Sequence, residues 1–146
     1  MLKVVNVKDD LESMKKIESL FREVFVNRSI IENINNNPFT NYFILYKNNE
    51  LIGFINFDII YDRCELININ VINEEKGNGY GKFLMDYMIN YIIKNNIVNI
   101  TLEVRVDNLI AIKMYEKYGF IKKAIRKNYS QGVDGILMEK EIEEMM

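Results

Sequence analysis

The spacing of apolar residues changes period several times along the chain. Val4, Val5 and Val7 mark a short first strand. Asp9, with Glu12 three residues on, forms a capping-box pattern. Behind it Leu11, Met14, Ile17, Leu20/Phe21 and Val24/Phe25 recur at helical spacing, which predicts an amphipathic helix over about residues 10–25. Ile30, Ile31 and Ile34 allow a second short helix within residues 26–40, ended by Asn36, Asn37 and Pro38.

Strand-like runs follow. Tyr42 to Tyr46 is aromatic and β-branched, and Lys47-Asn48-Asn49-Glu50 reads as a hairpin turn. Leu51 to Ile60 is a second run, in which Gly53 marks a bulge or a close approach. Tyr61-Asp62-Arg63 turns again before Glu65 to Ile72, so the three runs form an antiparallel meander. Then the period lengthens. Tyr80, Phe83/Leu84, Tyr87/Met88 and Tyr91/Ile92 keep one apolar face over residues 79–95, a helix closed by Asn95 and Asn96. Ile100, Leu102, Val104 and Val106 alternate with Thr101, Glu103 and Arg105, the signature of a strand. Residues 108–118 are helical, capped by Asp107 or Asn108 and stopped by Gly119. Phe120 to Arg126 and Ile136 to Ile142 are two last strands around a loop at Ser130-Gln131-Gly132. The order β-α-(α)-β-β-β-α-β-α-β-β fits neither a doubly wound sheet nor a sandwich. It fits an α+β fold, a mixed sheet with helices on its faces.

Composition narrows the chemistry. The 146 residues suit one domain, residues 1–146, and half of them are apolar. The net charge of −2 and the lack of a basic block argue against nucleic acid as a partner. The acidic end, Glu139 to Glu144, reads as a solvated terminus. The absence of histidine excludes Ser-His and Cys-His catalysis and imidazole zinc sites. The single cysteine, Cys64, forms no internal disulfide and no metal cluster, and reads as a small buried hydrophobe. Acid–base work is left to carboxylates, tyrosines, lysines or water. The N-terminus reads as neither signal peptide nor anchor, and no apolar run approaches the ~20 residues of a membrane span. The expectation is a cytoplasmic protein with no metal and no membrane partner.

Between the third meander strand and the long helix stands Lys76-Gly77-Asn78-Gly79-Tyr80-Gly81-Lys82. A helix N-terminus presents unpaired N–H groups and the positive end of the macrodipole. Glycines let a ligand approach the backbone. The segment reads either as a pyrophosphate cradle or as a flexible turn that starts a helix. A dinucleotide fingerprint fails because Lys82 stands where a third glycine is needed, and a Walker A loop fails because Phe83 follows Gly81-Lys82.

A second segment completes the pattern. Leu102-Glu103-Val104-Arg105 and Asn108 lead into Tyr115-Glu116-Lys117-Tyr118-Gly119-Phe120. With Asn68-Ile69-Asn70-Val71, with Lys76 to Gly81 as the Gln/Arg-x-x-Gly-x-Gly/Ala signature, and with Arg126-x-x-Tyr129, the chain resembles the GNAT superfamily of acetyltransferases. Within it the chain is most similar to the bacterial ribosomal-protein alanine N-acetyltransferases, the RimI type. The likeness is strong over residues 65–138.

This resemblance implies an acetyl-CoA-dependent N-acetyltransferase acting on a primary amine, foremost the α-amine of a protein N-terminus such as that of a ribosomal protein. It implies a mostly antiparallel sheet of six to seven strands, about four helices, and a splay beside the third meander strand. Ile69, Asn70 and Val71 would offer main-chain groups to the pantetheine arm, with the Val71 N–H polarising the thioester carbonyl. Lys76, Gly77, Asn78, Gly79, Tyr80, Gly81 and Lys82 would hold the pyrophosphate, and Asn108 would contact the cofactor. Tyr115 would protonate the leaving thiolate, and Glu103 would act as general base through water. From the residues alone, the pattern favours a cross-sheet ion pair for Glu103, a core position for Tyr115 and a plain helix cap for Asn108. An acceptor that is a small amine or a lysine stays open, as does a non-catalytic acyl-CoA-binding role. Gly77 stands where the RimI type commonly has a cation, the Pro-Trp expected after the first helix is missing from Phe25-Val26-Asn27-Arg28-Ser29, and Ser130 replaces the second tyrosine of a Tyr-Tyr pair.

Overall fold

Seven strands form one sheet in the order β1-β2-β3-β4-β5-β7-β6. The computed structural model describes residues 1–9, 11–25, 34 and 36–142, without the side chains of Asp9 and Leu11. Its strands are β1 (Leu2–Asn6), β2 (Thr40–Lys47), β3 (Glu50–Ile60), β4 (Arg63–Val71), β5 (Asn99–Arg105), β6 (Ile121–Ser130) and β7 (Val133–Glu141). The helices among the described residues are α1 (Leu11–Leu20), α2 (Tyr80–Lys94) and α3 (Leu109–Lys117). Of residues 26–40, where a second short helix is expected, Ile34 and Asn36 are described as helical and 37–40 as not; the rest, and the Asp9 side chain that would cap α1, fall outside what is described.

β1 to β4 form the expected antiparallel meander. Asn48 and Asn49, at φ 50° and 71°, make the β2–β3 turn, a conformation asparagine tolerates better than most residues. Crossing through α2 brings β5 alongside β4 in parallel. β7 then inserts between β5 and β6, antiparallel to both. Part of the acidic end is therefore not a free terminus: Glu139 and Glu141 are paired with Thr101 and Asn99 of β5.

Two bulges shape the meander. The β2–β3 register skips Ile52, next to Gly53, where a Cβ would come within 2.6 Å of the Asn70 carbonyl oxygen. The β3–β4 register skips Ile67. A bulge bends its strand and raises the local twist. Immediately before this one, the β4–β5 pairing ends at Leu66 and Leu102. β4 stays with β3, β5 stays with β7, and the sheet opens between them.

The period-2 alternation gives each face of the sheet its own core. Phe43, Leu45, Ile55, Phe57, Ile100, Leu102 and Met138 pack under Leu84, Met85, Met88 and Ile92 of α2 and Tyr115 of α3. On the other face Tyr42, Ile44 and Phe54 meet Met14 and Ile17 of α1, then Phe21 and Phe25 beyond it. The apolar stripe predicted to residue 25 is real, but regular helix stops at Leu20. From there a turn carries the stripe, with Val24 N–H donating to the Phe21 carbonyl at 2.9 Å. Cys64 is buried in the first core, as its apolar context implied.

Candidate active site

Beyond Leu66 the outer edge of β4 has no strand beside it, so its main-chain groups have no ladder partner there. Ile72 N–H donates to the Ile52 carbonyl at 2.8 Å, toward β3. Two-residue alternation then turns the main-chain groups of Ile69 and Val71 the opposite way, to the open edge. Asn70, registered with Phe54, turns its own toward β3. Its side chain joins Phe21, Val71 and Lys76 in lining a cavity of about 180 Å³ between the end of α1 and the glycine turn.

A short 3-10 turn, Asn73–Glu75, leads from β4 into that turn. Gly77 and Gly79 sit at φ 82° and 84°, the left-handed region that glycine enters without strain. A Cβ on either would meet nothing within 4 Å, so the loop faces open space. Gly79 is the N-cap of α2 and supplies no side-chain cap. The first α2 hydrogen bond is from Phe83 N–H to the Gly79 carbonyl, at 3.0 Å. The N–H groups of Tyr80, Gly81 and Lys82 therefore precede the helical ladder and have no partner within it. Lys47 braces the turn: it pairs with Glu75 at 3.1 Å and lies 5.5 Å over the Tyr80 ring. The Asn78 side chain donates to the same Glu75 at 3.5 Å, and Lys76 is exposed. An open left-handed loop, free amides and a flanking cation fit a pyrophosphate group.

Across the splay, Glu103 lies on β5 opposite Leu137, half-buried. Arg126 of β6 holds it, Nη1 donating to Oε1 at 3.0 Å and to Oε2 at 3.2 Å. Tyr129 reaches the same place by an irregularity that the strand pattern hid. Between Arg126 and Ser130 the β6–β7 register jumps, setting Lys127, Asn128 and Tyr129 against Asp134 alone. Asn128 takes φ 53°, and its N–H donates to Asp134 Oδ1 at 3.1 Å. The bulge throws the Tyr129 ring over Gly135, where a Cβ would lie 2.6 Å from its Cγ. The Tyr129 hydroxyl ends 3.5 Å from the Glu103 carbonyl oxygen. Burial raises the Tyr129 phenol, and the Glu103 charge adds to the effect.

Asp58, Glu65 and Glu103 occupy adjacent strands on the α1 face. Asp58 registers with Glu65, and Glu65 with Thr101, two residues before Glu103. Burial, then the Asp58 and Glu103 charges, push the Glu65 carboxyl upward.

Tyr115, on α3, is 7% exposed and packs on Phe120 with ring centroids 5.8 Å apart. Burial, with a smaller contribution from Tyr129, pushes its phenol up to about 12. Tyr129 is thus the electrostatic neighbour of both Glu103 and Tyr115, the two residues expected to do acid–base work. Asn108 caps α3, its Oδ1 accepting from Ala111 N–H at 3.3 Å. Its amide nitrogen makes no hydrogen bond among the described residues.

The predicted residues fall on both faces of the sheet, Glu103 on the α1 face and Tyr115 in the core on the α2 and α3 face. Ile69 and Val71 line the open edge of β4, the glycine turn follows that strand, and Asn108 and Tyr115 stand on the segment that follows β5. Arg126 and Tyr129 entered the sequence reading only as a matching Arg-x-x-Tyr motif, with no role assigned. A further signal was Gly135, a glycine inside a strand pattern, which marks a close approach.

This fold and site belong to an acyl-transfer enzyme. The sequence model of the acetyltransferase (GNAT) family matches residues 10–120, and the chain belongs to that family as an N-acetyltransferase. Its relatives are more particular. A Bacillus subtilis (strain 168) protein, provisionally named a ribosomal protein bS18-alanine N-acetyltransferase, is 29% identical over 133 residues, 89% of this chain and 88% of that one. The ribosomal protein bS18-alanine N-acetyltransferase of Escherichia coli (strain K12) is 33% identical over 93 residues, 64% of this chain and 63% of its own length. The crystal structure of the ribosomal-protein-S18-alanine N-acetyltransferase from Escherichia coli superposes with a TM-score of 0.82 at 25% identity, covering 100% of this chain and 97% of that one. Among the described residues no helix is long and apolar enough to cross a membrane.

Proposed function

We propose that this chain, acting in the cytoplasm as one catalytic domain over residues 1–146, moves the acetyl group of acetyl-CoA to the α-amine of a protein N-terminus. A ribosomal protein is the foremost acceptor, by analogy with the names of its relatives. The observation that carries the reading is the parting of β4 from β5 after Leu66 and Leu102. It leaves a polar main-chain edge facing a strand that bears a carboxylate.

Acetyl-CoA supplies the activated acyl group as a thioester. Ile69 and Val71 hold its arm by main-chain amides, with Asn70 between them, and the Val71 N–H donates to the carbonyl oxygen where charge develops. Lys76, Gly77, Asn78, Gly79, Tyr80, Gly81 and Lys82 hold the pyrophosphate. The Asn108 amide, its oxygen already spent on the cap, donates to the arm. Glu103 accepts the acceptor's proton at a carboxylate oxygen through a water. Tyr115 gives up its hydroxyl proton to the leaving group, a task for which burial keeps it protonated. An α-amine, with pKa near ~8 against ~10.4 for lysine, releases its proton to a carboxylate relay more readily at neutral pH. The carboxylates Asp58, Glu65 and Glu103 give the acceptor side a negative field suited to an ammonium group.

Mass spectrometry of a peptide with N-terminal alanine and an internal lysine, incubated with acetyl-CoA, tests the reading. Acetylation at the α-amine, abolished when that amine is blocked, is expected. Transfer confined to the lysine, or to spermidine offered alongside, overturns it.

A further inference from the structure

An α-ammonium group carries three protons, and the amide formed from it keeps one. Of the two that are shed, one ends on the coenzyme thiol by way of Tyr115, and the other has to leave the protein. Glu103 receives the outgoing proton but is poorly placed to release it. Its side chain is 28% exposed, and Arg126 Nη1 lies 3.0 and 3.2 Å from its two oxygens. A proton that settles there cancels the anion of an ion pair and leaves the guanidinium facing a neutral acid. A second acceptor close by would clear it in each cycle.

The sheet supplies one. Register pairs Glu65 with Thr101, one row before the β4–β5 ladder ends at Leu66 and Leu102. Glu103 is the next residue of β5 on the same face. The two carboxylates therefore stand on either side of the start of the opening, as diagonal neighbours within reach of long side chains. Glu65 is exposed where Glu103 is half-buried, and no cation pairs with it among the described residues. Asp58, the third carboxylate of this face, is one strand further from β5 and already accepts from Asn37 Nδ2 at 3.1 Å.

We propose that Glu65 is a proton-relay residue for the transfer reaction, standing between Glu103 and solvent. The step is a proton transfer alone. An O–H bond on Glu103 breaks as one forms on Glu65, across an intervening water, and Glu65 then yields that proton to bulk water or buffer. The Glu103 carboxylate is thereby regenerated for the next acceptor. Burial, then the Asp58 and Glu103 charges, push the Glu65 carboxyl upward, which favours its taking a proton from a neighbour. The inference rests on the acetyl-transfer reading above, with Glu103 as its base.

The test is turnover of an N-terminal alanine peptide by the full chain and by Glu65→Gln and Glu65→Asp, at saturating substrates, in dilute buffer with and without imidazole as a small proton acceptor. Glu65→Gln is expected to lose about tenfold in kcat in dilute buffer, short of the ~10²-fold or more of a direct acid or base. Imidazole should restore most of that loss and leave the wild type unchanged. Glu65→Asp, which keeps the carboxylate, should retain most of the turnover. Coenzyme A binding and the melting temperature should stay at wild-type values in both variants, because Glu65 is exposed. Wild-type kcat for Glu65→Gln in dilute buffer overturns the inference, as does a loss that imidazole leaves in place. A raised peptide KM with kcat intact overturns it too, and assigns Glu65 to the field around the ammonium group alone. Glu103→Gln with wild-type turnover overturns the reading beneath, that Glu103 is the base, whichever way Glu65 behaves.

Discussion

Arg126 grips both carboxylate oxygens of Glu103, at 3.0 and 3.2 Å, from a strand that does not pair with β5. β7 lies between them, and the arginine reaches across it on the side opposite the helices α2 and α3. Both readings that the sequence left open for Glu103 thus meet in one geometry: the proposed base is also the anion of a cross-sheet ion pair. The Arg126 side chain is 66% exposed, so the pair contributes little to folding. Its consequence is orientation of the carboxylate.

Arg126→Gln should therefore lower kcat/KM by about fivefold, the equivalent of ~1 kcal/mol, while moving the melting temperature very little. Arg126→Lys keeps the charge and, because both contacts come from the one nitrogen Nη1, should recover part of the loss. Steady-state kinetics on an N-terminal alanine peptide, with melts alongside, checks this. An unchanged kcat/KM in Arg126→Gln would show that Glu103 needs no partner to act.

Tyr115→Phe retains the ring that packs on Phe120 and removes only the hydroxyl. Under the proposed role it should cut kcat by ~10²-fold or more and leave coenzyme A binding within about twofold. Stopped assays give the first quantity and calorimetry the second. Because burial raises the phenol to about 12, the wild-type hydroxyl stays protonated through the neutral range and remains a proton donor. An equal fall in binding and turnover would assign Tyr115 to the core alone.

Much of this was legible in the chain, for identifiable reasons. The periods of the Leu84-Met88-Ile92 face and of the Ile100-Leu102-Val104 strand survive into the structure because each element buries one continuous face. The glycine turn was readable because left-handed backbone at Gly77 and Gly79 demands glycine. Where register depends on long-range pairing, the pattern was silent. The Ile67 bulge and the Lys127–Tyr129 bulge carry no signal in alternation, yet the first ends beside the sheet opening and the second brings Tyr129 to Glu103. The strand predicted to end at Arg126 runs on to Ser130 for the same reason.

Gly135 is needed because the Tyr129 ring crosses it, not because of its own backbone, since its φ is not in the left-handed region. Gly135→Ala should destabilise the fold by ~1–3 kcal/mol, the usual cost of overpacking. Replacing Tyr129 by alanine as well would not relieve it, because the Tyr129 Cβ itself lies 2.8 Å from the new methyl position. Tyr129→Gly should. Denaturant melts of the single and double variants would test the contact. Additive losses in the double variant would show that something other than this crossing demands the glycine.

Cys64 lies on β4 within the core, 2% exposed, and burial pushes its thiol from 9.0 to about 12, with Asp58 and Glu65 adding to the effect. In the native state the thiolate is therefore scarce at pH 8, and the sulfur is covered. Labelling by iodoacetamide should be slow and should match the rate of global opening, becoming fast only in denaturant. The linkage sign follows from the raised value. The folded chain favours the protonated thiol, so this contribution to stability is complete below about pH 9 and is lost as pH rises toward 12. Cys64→Ala should remove that part of the alkaline loss, at the cost of some packing at every pH. Urea melts at pH 7.5, 9 and 10.5 should show a shallower decline in the variant than in the wild type. Parallel declines would mean that the thiol keeps its ordinary pKa in the fold and that other groups set the alkaline limit.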